Sequence, residues 1–68
     1  MNDIDVINFL NAKTSSTASG VEVRKTEIVV SLSSFEDDAI SSDIFEELGK
    51  TKRKISIAYG CLCVERLN

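Results

Sequence analysis

The chain has 68 residues, 43% of them apolar and 28% charged, with a formal net charge of −3 and a pI near 4.7. That length supports one domain, in which burial of apolar surface only just offsets the entropy of ordering the backbone. The acidic balance disfavours a general nucleic-acid or anionic-membrane binder, since both surfaces reward excess Lys and Arg, and no apolar run approaches the ~20 residues that span a bilayer. The opening Met1-Asn2-Asp3-Ile4-Asp5 is acidic where a targeting peptide carries positive charge, so a cytoplasmic location is expected.

Asn2 or Asp3 is placed to cap a short helix over about 4–12, with Val6, Ile7 and Leu10 on one buried stripe. The small hydroxylated residues of 13–20 favour a flexible loop. From Val21 the residues turn β-branched, but the alternation changes phase between Val21/Val23 and Ile28/Val30/Leu32. Either residues 24–27 turn a tight hairpin or a bulge absorbs one residue, and the lack of Asn-Gly or Asp-Gly favours the bulge.

Ser33 with Glu36 fits a capping box, and Ser41 fits a competing N-cap with Ile40 and Phe45 as a staple. Ile40, Ile44, Phe45 and Leu48 cluster on a helical wheel, so the main helix is expected at about 36–48. Gly49 is expected as its C′ residue, with Lys50 and Lys52 complementing the dipole. Beyond it, Ile55, Ile57 and Tyr59 alternate as a half-buried strand, and Leu62 to Leu67 continues in strand character. A second phase shift at Gly60 marks a bulge, a tight bend, or a strand buried on both sides.

The expected fold is therefore α+β and forms one compact domain. A small antiparallel or mixed sheet, from about 21–32 and 53–67, packs one face on the main helix, and the first helix adds a smaller patch.

The chain has no histidine, which removes the commonest general base near neutral pH and the commonest metal ligand together. Three dispersed glycines make no phosphate-cradling loop. No catalytic residue, cofactor or metal ligand is assigned. Cys61 and Cys63 share one face of an extended strand and are read first as buried small hydrophobes, with a metal or redox role as the lesser reading.

The most distinctive feature is acidic: Glu36, Asp43, Glu46 and Glu47 form a stripe opposite the apolar one. A basic run, Lys50, Lys52, Arg53 and Lys54, follows directly. Both have ordinary roles, as a solvated helix face and as helix C-terminal charge, and both are candidate partner contacts.

The functional expectation is a non-enzymatic protein-binding module, an inhibitor or adaptor of a larger macromolecular complex, meeting another protein at a basic surface. Small accessory proteins of viruses and mobile elements fit that description. The alternative is a structural or assembly subunit acting as a homodimer or larger homo-oligomer. Direct nucleic-acid binding and membrane insertion are disfavoured.

Overall fold

The computed structural model describes residues 2–14, 20–35 and 42–67. The elements run α1 (Asp3–Lys13), β1 (Val21–Val23), β2 (Glu27–Ser31), a single 3₁₀ turn (Leu32–Ser34), α2 (Ser42–Gly49), β3 (Ile55–Ala58) and β4 (Cys61–Glu65). The four strands form one antiparallel sheet in the order β1-β2-β4-β3. This is the expected α+β class, and every strand pair is antiparallel. No helix among the described residues is long and apolar enough to cross a membrane.

α1 starts where it does because Asn2 caps it. Its side-chain oxygen accepts from the Asp5 backbone N–H at 2.9 Å, and the Asp5 carboxylate accepts from the Asn2 N–H at 3.4 Å. These reciprocal bonds satisfy amide groups that the first helical turn leaves without partners. Asn2 thereby leaves Asp3 free for another role.

Two hairpins account for both phase shifts. In the first, Val21 pairs with Val30 and Val23 with Ile28, and the Arg24 N–H donates to the Glu27 carbonyl at 2.8 Å. The turn is therefore the two residues Lys25 and Thr26. Paired residue numbers sum to 51, an odd number, so odd positions of β1 share a face with even positions of β2. The bulge favoured from the sequence is replaced by this hairpin. Asn-Gly signals turns with left-handed residues, and neither Lys25 nor Thr26 has positive φ.

The second hairpin works the same way: Ile55 pairs with Val64 and Ala58 with Cys61, around Tyr59 and Gly60. Here both turn residues are left-handed, with φ of 53° and 71°, the geometry whose twist matches that of paired strands. Gly60 thus marks a tight bend. The two hairpins are joined through β2 and β4, with Ile28 opposite Val64 and Val30 opposite Leu62.

The core lies on one face of this sheet. Val6 and Leu10 from α1, Ile44 and Leu48 from α2, Ile28 and Val30 from β2, Leu62 and Val64 from β4, and Phe35 after the 3₁₀ turn are all buried in one cluster. Among the described residues α1 and α2 each supply two of these side chains. The main helix is seen over Ser42–Gly49, and the earlier part of the expected 36–48 span, like most of the expected 13–20 loop, lies outside the described residues. Its C-terminus also differs from expectation. Gly49 is the last helical residue, and the left-handed position that follows is taken by Lys52, with φ of 61°.

The second turn allows a direct test. Tyr59 is fully exposed, so its side chain holds little of the core, while its left-handed backbone disfavours a bulky residue. Tyr59→Asn is expected to raise the urea midpoint of unfolding, and Gly60→Ala to lower stability by about 1–2 kcal/mol at its left-handed position.

Candidate functional site

The residues expected to meet a partner are distributed by the fold in three ways. Asp43 and Glu46 project into solvent from α2, because Ile44 and Leu48 turn the opposite side of the helix into the core. Glu47 is half-buried and pairs with Lys50, whose Nζ lies 2.9 Å from Glu47 Oε1. Lys52 is exposed in the turn after α2, and Lys54 is exposed just before β3. Glu36 lies outside the described residues.

Arg53 behaves differently from the rest of its run. Its side chain is 0% exposed and forms an ion pair with the buried carboxylate of Asp3. The same Asp3 carboxylate accepts from Arg66 Nε and from the Leu67 backbone N–H, each at 3.2 Å. Arg53 Nη1 also donates to the Glu65 carbonyl at 3.0 Å, and Arg66 Nη1 to the Arg24 carbonyl at 2.8 Å. Arg53 is thus an internal strut and not a surface contact. The sequence carried no local signal of this, because Asp3 and Arg53 are 50 residues apart.

A second surface emerges on the sheet face turned away from the helices. Since Leu62 and Val64 face the core, Cys61 and Cys63 face outward, beside Val29, Ser31, Ser56 and Ala58 on the neighbouring strands. Both cysteines are half-buried free thiols. The reading of them as core residues is corrected by the register: one parity of β4 had to face the helices, and the larger apolar pair took it. Burial, followed by the nearby Glu27 and Cys61, pushes the Cys63 thiol above its ordinary pKa, against a smaller opposing pull from Arg24. Glu22 and Arg24 pair at 2.9 Å at one side of this face.

Among the described residues no three Cys, Asp or Glu side chains converge as a cage for a metal ion. The chain matches no protein-family model, no curated protein and no solved structure, so its surfaces are read from their own geometry.

The Asp3 cluster predicts a pH dependence. The hydrogen bond from Arg53, helped by Leu67 and Arg66, holds the Asp3 carboxyl at about 2 against an ordinary 3.8, although burial pulls the other way. A carboxylate with a depressed folded-state pKa stabilises the fold fully above its unfolded value and loses that contribution as pH falls through the folded one. Asp3→Asn is therefore expected to destabilise the protein at neutral pH and to remove part of the stability loss between about pH 4 and 2, read from urea midpoints across that range.

Proposed function

We propose that this protein is a non-enzymatic binding module, an inhibitor or adaptor that docks on a basic surface of a larger protein complex through the acidic face of α2. The observation that carries this reading is the division of α2 into two faces. Ile44 and Leu48 anchor the helix in the core, and this holds Asp43 and Glu46 outward on a rigid support. Neither enters an ion pair among the described residues. Carboxylates presented this way meet a basic groove without first breaking contacts of their own, and such an interface weakens as salt rises. The exposed Lys52 and Lys54 supply opposite charge nearby, which orients the docked molecule. Arg53 and the Glu47–Lys50 pair contribute less, because their charges are already matched.

Capture from lysate of the source with immobilised protein tests this. A stoichiometric partner is expected at low salt, released at high salt and absent when the bait carries Asp43→Lys and Glu46→Lys. Undiminished capture by that doubly reversed variant would sink the proposal.

A second reading, assembly through strand pairing, is favoured by the outer edge of β3, which among the described residues pairs on one side only. The Glu65 N–H donates to the Lys54 carbonyl at 2.9 Å, so by antiparallel alternation Ser56 bonds to β4 while the N–H and C=O of Ile55 and Ile57 point away from it. Ile57 is 53% exposed at that edge. A second β3 laid antiparallel alongside would pair these backbone groups and cover the isoleucines. Native mass that rises with concentration, and falls back to monomer in Ile57→Lys, is the expected result; a strict monomer throughout rejects this reading.

A further inference from the structure

Cys61 and Cys63 stand at i and i+2 of β4 and project from the sheet face opposite the helices. On a strand that spacing separates the two Cβ atoms by about 6.5–7 Å. A disulfide requires them roughly 3.5–4.5 Å apart, so these thiols do not close on each other without bending the central pairing of the sheet. Their cross-strand neighbours are small or medium-sized: Ser31 and Ala58 flank Cys61, while Val29 and Ser56 flank Cys63. Both cysteines line one open depression of about 430 Å³, with Arg24, Glu27 and Tyr59 also on its wall.

We propose that Cys61 and Cys63 form an intrachain two-sulfur site for a soft monovalent metal ion of the copper(I) class. Thiolates select such ions by softness. With metal–sulfur bonds of roughly the 2.3 Å found for zinc thiolates, a linear sulfur–metal–sulfur unit spans about 4.6 Å, which two Cβ–Sγ bonds tilted toward each other supply from this Cβ spacing. Zinc is a poorer occupant, since it takes four ligands and no third or fourth one converges here among the described residues. The step is an exchange without oxidation or reduction: each thiol releases its proton to solvent as a sulfur–metal bond forms, leaving a bis-thiolate complex of charge −1. The site lies across the sheet from α2 and does not depend on the docking role proposed for that helix.

The test is anaerobic titration of the reduced protein with copper(I) held by a chromophoric chelator such as bathocuproine disulfonate. One copper per chain is expected, with native mass unchanged by loading at a given protein concentration, and with a near-ultraviolet thiolate-to-copper absorption. Cys61→Ser and Cys63→Ser should each lower affinity more than about 100-fold, beyond the loss typical of an outer-shell change, with circular dichroism unchanged. X-ray absorption of the wild-type complex gives an independent reading that needs no variant, and two sulfur neighbours are expected. Affinity no greater than that of two equivalents of glutathione, a single-serine variant that binds as well as wild type, one copper bridging two chains, or three sulfur neighbours would each overturn the site.

Discussion

The carboxylate of Asp3 is the point on which the rest of the architecture closes. It gathers Arg53 from the segment entering β3, Arg66 from the segment leaving β4, and the backbone of Leu67, while Arg66 reaches on to the first hairpin at Arg24. One buried negative charge therefore binds α1 to both hairpins. Such a charge is stabilising only when its lone pairs are filled by well-placed donors, because removing it from water is costly. Here backbone and guanidinium donors fill them. The cluster also explains why α1, which carries only two fully buried apolar residues, is held in place.

Apolar burial supplies the driving force that this cluster orients. The core is a two-layer arrangement: β2 and β4 contribute the central floor, and α1 and α2 each lay two side chains across it. With so few large groups in so short a chain, each contact carries a sizeable share of a small net stability. The sheet can spare its other face, which is why small and polar residues, and both thiols, are found there.

Much of this was legible in the residues. The stripe of Val6 and Leu10 and the pairing of Ile44 with Leu48 follow from helical spacing, and Asn2 was one of two local cap candidates beside Asp3. The strands at Ile28 and Ile55 follow from β-branched alternation. Tertiary choices were less legible. The phase shifts announced breaks but did not distinguish a bulge from a hairpin, because Lys25-Thr26 lacks the residues that mark left-handed turns. The inward turn of Arg53 depends on a carboxylate at the far end of the chain, so its place in a basic run suggested a surface role it does not have. The outward turn of the cysteines depended on which parity of β4 met the helices. On the surface of α2, by contrast, Asp43 and Glu46 lie where the wheel placed them.

The odd sums that define the two hairpins, 51 for β1 with β2 and 119 for β3 with β4, bear on how this chain tolerates insertions and deletions. One residue added to either turn changes the parity of the pairing. It must then be absorbed as a bulge, or the edge strand rolls over and presents Glu22 or Ser56 to the helices in place of Val21, Val23, Ile55 or Ile57. Two added residues merely lengthen the loop. Length variation in these turns is therefore quantised in steps of two, while the sides and polarity of the sheet are preserved.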